Sequence, residues 1–270
     1  VISLLPILNK SIYILAPIAL LETFYFYYTS KKSIDLKETF SNVTIGLVGK
    51  FLKTFFTGNV LFLFLSPFQN YALFSLGGGM AAFCLTLLVA DFVYYWNHRL
   101  SHEIRLFWSY HSVHHSSPHF NLSTAVRLPW LGTHFDGIFY IPIVLLGFDP
   151  ALILISKAVI LLYQFWIHSE AIGSLGWFDG WFNSPANHRV HHGSNPIYLD
   201  KNHGGILMIW DRLFGTYEKE NEPVQYGLTK PIGSKNPIYI NFYEPYRILV
   251  DLFQKKGFRS KMKVLFGPPG

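Results

Sequence analysis

The chain has 270 residues, of which 50% are hydrophobic, 18% aromatic and 14% charged, with a formal net charge of +6. Ordinary globular domains carry about 25% charged residues, so the long apolar runs argue for lipid as the surrounding solvent. No nucleic-acid motif accompanies the positive charge, which excludes a nucleic-acid partner. The single cysteine, Cys84, excludes an intrachain disulfide framework and a cysteine metal site. It lies in an apolar run and reads as a small buried hydrophobe.

Five apolar runs are expected as helices. The first is Ile12 to Tyr28 and the second Val43 to Leu65, interrupted by Lys50 and Lys53. The third, Met80 to Tyr95, leads directly into histidine-rich sequence. The fourth and fifth, Gly137 to Leu146 and Ala151 to Trp166, form a pair joined by the turn signal Gly147-Phe148-Asp149-Pro150. A full span needs roughly 20 residues, so the fourth is short and is expected to be tilted or partly immersed.

Counting crossings puts the Lys31/Lys32/Lys37 loop and the basic C-terminus (Lys255, Lys256, Arg259, Lys261, Lys263) on one side. The positive-inside rule makes that side the cytoplasm. Every histidine cluster falls on the same side. The expected fold is therefore all-α: an integral-membrane, multi-pass helical bundle with a cytosolic helical cap holding a histidine-rich dimetal site. Residues 1–97 form the N-terminal transmembrane helices. Residues 98–270 form the histidine-box region, including a short transmembrane pair at about 132–167.

Twelve histidines are present, and most cluster. His98-Arg-Leu-Ser-His102 is an HxxxH box; His111-Ser-Val-His114-His115 and His188-Arg-Val-His191-His192 are HxxHH boxes; His168 follows the fifth run. Residues i, i+3 and i+4 share a helix face, so each box aims several imidazoles at one place. With His168 this makes enough nitrogens for two metal ions, since one tetrahedral zinc needs about four. Imidazole suits zinc, copper, iron and nickel, and spacing does not choose among them. Zinc would imply hydrolysis or structure, and iron O2 chemistry. His119, His134 and His203 each stand alone and are left outside the core, with His203 the nearest to a box.

Other motifs fail. His102-Glu103-Ile104-Arg105-Leu106 lacks the second histidine of HExxH. Ser75-Leu76-Gly77-Gly78-Gly79 is not a dinucleotide fingerprint. With no flavin or nicotinamide site, electrons for O2 reduction must come from outside. Aromatic density near the boxes (Tyr94, Tyr95, Trp96, Trp108, Phe165, Trp166) suits an alkyl channel or an interfacial belt.

The three boxes resemble the fatty acid hydroxylase/sterol desaturase superfamily and, within it, the alkylglycerol monooxygenase group that cleaves glyceryl ethers. The matching text includes Trp96 to Glu103, His111 to Ser117, Tyr163 to His168, His188 to Gly193, Asp200-Lys201-Asn202 and Ile209 to Thr216. It covers roughly residues 90 to 235. The resemblance implies two iron ions held by His98, His102, His111, His114, His115, His168, His188, His191 and His192, with zinc as an alternative occupant of a purified sample. It implies O2 as oxidant and a lipid substrate at the bilayer. It also implies hydroxylation of the carbon beside an ether oxygen, and tetrahydrobiopterin or an external electron donor such as a redox partner protein. Glu103 is retained from the family and is expected to orient a ligand or handle protons. Two departures stand out: Asn187 replaces a usual histidine before the third box, which makes it a candidate catalytic-site residue, and His203 replaces a usual tyrosine. Sterol or fatty-acyl hydroxylation or desaturation is the alternative reaction. A membrane metal transporter or sensor is a remote one, because the spans contain few ionisable groups beyond Glu22 and Asp91.

Overall fold

The computed structural model describes residues 10, 12–29, 35–52, 60–131 and 136–269. Lys31, Lys32, Lys53 and His134 lie outside the described residues. The described elements are all helical: α1 (Ile12–Thr29), α2 (Leu36–Leu52), α3 (Val60–Gln69), α4 (Met80–Glu103), α5 (Arg105–His115), α6 (Leu122–Ala125), α7 (Asp136–Leu146), α8 (Pro150–Trp166), α9 (Pro185–His191), α10 (Ile209–Leu213), α11 (Pro237–Gln254) and α12 (Phe258–Phe266). Pairing of β type among the described residues is limited to two isolated bridges, Phe182 with Leu207 and Gly193 with Tyr226.

Three helices begin with the same local chemistry. Asp149, Ser184 and Asn236 each cap a helix by accepting from backbone N–H groups, and each is followed by Pro150, Pro185 or Pro237 at the first turn. The side-chain oxygen satisfies an orphan donor, and proline supplies a helical φ where no N–H is needed. At Gly147, φ is +112° and a Cβ would meet the carbonyl oxygen of Phe74 at 2.1 Å, so the turn from α7 into α8 requires glycine.

α4 packs against α8, α5 and α7, and its N-terminal half joins the main core. That core unites Leu65, Ala90, Tyr140, Ile143, Val144, Phe148, Ile153 and Ile160. Among the described residues, α4 is the helix long and apolar enough to cross a membrane. At 1.5 Å per residue α7 and α8 reach roughly 16 Å and roughly 25 Å, short of a hydrocarbon core of about 30 Å.

The structure differs from expectation in three places. Of the expected second run, residues 53–59 lie outside the described residues; its first part belongs to α2, which starts well before it at Leu36, and its last part to α3. α2 buries Glu38, Thr39, Ser41 and Asn42, so its polar face turns inward onto the protein. The proposed boundary at 97/98 falls within α4, which continues through the first histidine box to Glu103. Cys84 is exposed, because it lies on the outward side of α4.

Candidate metal centre

The first box lies on the C-terminal turns of α4, the second on α5, and the third on α9 and its cap His192. His168 sits just past α8, whose C-cap is Ile167. These elements bring the nine histidines into two groups. His98, His102, His111, His115 and His191 form the first; His114, His168, His188 and His192 form the second. Within each, the ligand-capable atoms lie within 4.8 Å of one another.

The HxxHH boxes divide their rings. In the second box the i and i+4 residues, His111 and His115, join the first group and His114 the second. In the third box the assignment is exchanged: His188 and His192 join the second group and His191 the first. Each box therefore spans both groups and couples them mechanically.

Backbone carbonyls fix the ring tautomers. Nδ1 of His98 meets the His203 carbonyl at 2.9 Å, His168 that of Gln164 at 2.7 Å, and His191 that of Lys201 at 2.9 Å. His114 Nδ1 lies 3.3 Å from the Arg127 carbonyl. A carbonyl only accepts, so each Nδ1 carries the proton and each Nε2 presents a lone pair. His114 Nε2 and His168 Nε2 then face each other at 3.1 Å with no proton between them. Two lone pairs at that distance repel unless a cation sits against both. The Nε2 atoms of His102 and His192 are buried with no hydrogen-bond partner.

Burial, reinforced by the neighbouring imidazoles, holds His111, His114, His115, His188, His191 and His192 well below the ordinary histidine value. Burial pushes His168 down to about 4. Neutral imidazole is the form that binds metals. The donor set, the orphaned nitrogens and the opposed lone pairs all fit metal ions in both groups.

Loops and buried charges hold this arrangement. Asp200 and Asn202 have φ of 56° and 57°, the left-handed region that Asn and Asp tolerate best among side-chain-bearing residues. The Asn202 amide donates to the carbonyls of Asn187 (3.1 Å) and Glu218 (2.7 Å) and accepts from the Glu218 N–H (2.9 Å). Its neighbours Lys201 and His203 thereby aim their carbonyls at His191 and His98. Asp211 accepts from the N–H groups of His203 and Gly204. On the other flank, buried Arg127 donates to Glu38 at 2.7 Å and to the Val113 carbonyl at 2.7 Å.

The remaining sequence candidates are placed differently. Glu103 is on the surface, accepting from Arg99 Nε at 2.8 Å. The carboxylate beside the first box is Asp200, 3.5 Å from His102 Nδ1. Asn187 is buried, and its amide donates to the carbonyls of Asp179 (2.7 Å) and Phe182 (3.1 Å). His119 is half-buried and belongs to neither group. His203 is fully buried, with ring centroids 5.0 Å from His102 and 5.7 Å from His98, and both its ring nitrogens lack partners. Phe120, not singled out in the sequence, stacks on His168 at 5.5 Å and on Tyr226 at 5.1 Å. Of the aromatic residues that were, Trp108 packs on His102 at 5.1 Å and Tyr94 on His98 at 5.3 Å.

Residues 83–216 match the fatty acid hydroxylase family model. Human alkylglycerol monooxygenase is 39% identical over 236 residues, which is 87% of this chain and 53% of that protein. The Caenorhabditis elegans alkylglycerol monooxygenase is 33% identical, over 84% of this chain and 45% of that protein. The ornithine lipid hydroxylase OlsE of Rhizobium tropici is 32% identical over 140 residues, 52% of this chain and 42% of that protein. The chain spans about half the length of the alkylglycerol monooxygenases it matches. No solved structure matches it. Through residues 83–216, which carry all nine grouped histidines, the chain belongs to the fatty acid hydroxylase family.

Proposed function

We propose that this chain forms the dimetal core of a membrane-bound, O2-dependent lipid monooxygenase acting on ether lipids of the alkylglycerol type. The observation that carries the reading is the pair of histidine groups, with the His114 and His168 lone pairs opposed at 3.1 Å. The first group would hold one ion through five imidazoles and the second another through four. Bound ions would supply the redox chemistry that turns O2 on a lipid C–H bond.

An all-imidazole donor set suits iron, zinc, copper and nickel alike, and the resemblance to the fatty acid hydroxylase family supports iron. The facing Nε2 pairs that would hold the ions stand at 2.9–3.1 Å: His98–His111, His111–His115, His115–His191, His114–His168 and His168–His188.

The overall reaction balances as lipid, O2, two electrons and two protons giving hydroxylated lipid and water. On an ether-adjacent carbon the product is a hemiacetal, which breaks into an aldehyde and a glycerol derivative. Tetrahydrobiopterin or a redox partner protein would supply the electrons, since the sequence carries no flavin or nicotinamide site. The chain's own residues keep the centre dry and the rings aimed. Trp108, Tyr94 and Phe120 pack on ligand rings. The carbonyls of His203, Lys201, Gln164 and Arg127 hold four tautomers. Asn187 acts as a positioning residue through Asn202, and Asp200 takes the orienting role expected of Glu103. The multi-pass arrangement with a cytoplasmic centre belongs to the same proposal, supported by the length of α4 and the basic C-terminus.

A second reading is lipid hydroxylation without ether cleavage, favoured by the similarity to the ornithine lipid hydroxylase. The test is to purify the protein anaerobically, count metals and supply an alkylglycerol with a tetrahydropterin under O2. Two irons per chain, oxygen uptake and aldehyde release are expected. Tightly bound zinc alone, with no oxygen uptake under any reductant, would overturn the reading. A stable hydroxylated lipid with no aldehyde would favour the second.

A further inference from the structure

The amphipathicity of α11 is inverted. Its outward residues are Ile238, Tyr239, Phe242, Tyr246, Leu249 and Phe253, from 43% to 87% exposed. At 100° per residue these six fall in one arc of about 100°. The inward side carries polar groups. Asn241 accepts from the Trp130 N–H at 3.0 Å, Asp251 pairs with Arg105 at 2.6 Å, and Glu244 is buried. A water-facing helix has the opposite pattern.

The neighbouring helix repeats it. α2 packs beside α11 and exposes Leu36, Phe40 (72%) and Leu47, while burying Glu38, Thr39, Ser41 and Asn42. The two outward faces belong to adjacent helices, so neither is an isolated surface apolar residue of the ordinary kind.

Charge identifies what covers this face. Immediately after α11 come Lys255, Lys256, Arg259, Lys261 and Lys263, all exposed, and no acidic residue occurs from 255 to 266. Phe258 (76% exposed) and Phe266 (55%) sit among them on α12. An apolar stripe ending in a cluster of cations needs a partner with an apolar layer topped by negative charge. An anionic phospholipid leaflet provides both along the whole length of the helix.

We propose that α11 and α12 form an anionic-lipid docking platform. α11 lies in the bilayer interface with Phe242, Tyr246, Leu249 and Phe253 in the acyl boundary, and the cations of α12 and the preceding Lys255-Lys256 contact lipid phosphates. α12 and α11 both pack on α5, which carries the second histidine box. The platform thus holds the metal centre at a set height above the lipid. This rests on the membrane-bound reading above, and it moves α11 from the cytosolic cap to the bilayer surface.

The sole cysteine makes the two readings separable. Cys84 is exposed on α4 and reports whether that helix is immersed. A nitroxide is attached to Cys84 in one sample. In two others it is attached to residue 253 or 249, using Cys84→Ser/Phe253→Cys and Cys84→Ser/Leu249→Cys. Both outward positions are exposed, so the core is preserved. Each sample is reconstituted in nanodiscs of phosphatidylcholine with phosphatidylserine, or of phosphatidylcholine alone. EPR power saturation then compares collisions with oxygen and with a water-soluble nickel chelate.

We expect oxygen-rich, nickel-poor labels at 84, 249 and 253 in anionic discs. The ratio at 249 and 253 should fall several-fold in neutral discs, or when Lys255, Lys256 and Arg259 are replaced by Gln, while that at 84 stays constant. Labels at 249 and 253 open to nickel in anionic discs, with 84 still immersed, would overturn the platform alone. Labels there closed to both reagents would mean that protein covers the face, and would also overturn it. A water-exposed label at 84 would overturn the membrane reading itself.

Discussion

His191 and His192 are adjacent in the chain, yet their rings serve different groups. His191 Nε2 stands 3.1 Å from His115 Nε2, while the His192 ring centroid lies 4.6 Å from that of His114. The i+3/i+4 doublet points its members about 100° apart around the helix axis, so one short helix feeds both groups.

Single replacements should therefore separate the centres. With His191→Ala the second group keeps all four of its histidines, and with His188→Ala the first keeps all five. Each variant is expected to lower bound metal from about two ions to about one per chain, read by elemental analysis after anaerobic loading. Undiminished metal content in both variants would refute the assignment of ligands.

Asn202 sets the ring tautomers of His98 and His191 from a distance. Replacing it with Ala removes three hydrogen bonds and puts a Cβ-bearing residue without a polar side chain at φ 57°. Metal affinity is expected to fall about 10- to 100-fold, as for other residues that orient ligands. Asn202→Gly relieves only the backbone, so it should recover thermal stability without recovering affinity. Full recovery of metal affinity by Gly would show that backbone conformation alone matters.

The Arg127–Glu38 pair ties α2 to the second histidine box. Both side chains are buried, and the Arg127 carbonyl accepts from His114 Nδ1. Glu38→Ala strands a buried cation, at a cost of about 3–5 kcal/mol. The double variant Glu38→Ala/Arg127→Met should be less destabilised than Glu38→Ala alone. Thermal melts in detergent check the order, and a double variant as unstable as the sum of the singles would contradict it.

Acid should unfold the metal-free protein early. Burial keeps these imidazoles neutral in the fold, with His168 at about 4 and His111, His114, His115, His188, His191 and His192 well below the ordinary value. The unfolded chain takes up protons near pH 6.5, before the folded one does, so stability is lost as pH falls from about 6.5 toward 4. Metal loading should add stability at neutral pH and steepen its loss on the acid side, because protons then displace the ion. A melting midpoint that is flat between pH 7 and pH 5 without metal would count against buried neutral rings.

Much of the site was legible because its signal is local. HxxxH and HxxHH put rings on one helix face whatever the surroundings, and His168 follows an apolar run whose end is visible in the text. The helices α1, α4, α7 and α8 lie where the apolar runs do. The inward polar face of α2 was not legible, because a count of apolar residues does not see that Glu38 and Asn42 have a buried partner in Arg127, far along the chain. Glu103 looked functional by its position after the first box, but its carboxylate found Arg99 one turn away.

The sequence by itself determined the helical class, the family and the spacing of the histidine boxes, since periodicity and residue type suffice for these. Only the tertiary structure decided how those rings divide five and four, which carbonyls hold their protons, and that His203 lies against the first group. Those facts depend on contacts between segments as far apart as His115 and His191, or His98 and the His203 carbonyl. Such contacts form only when helices remote in sequence pack together, and no local pattern encodes that distance.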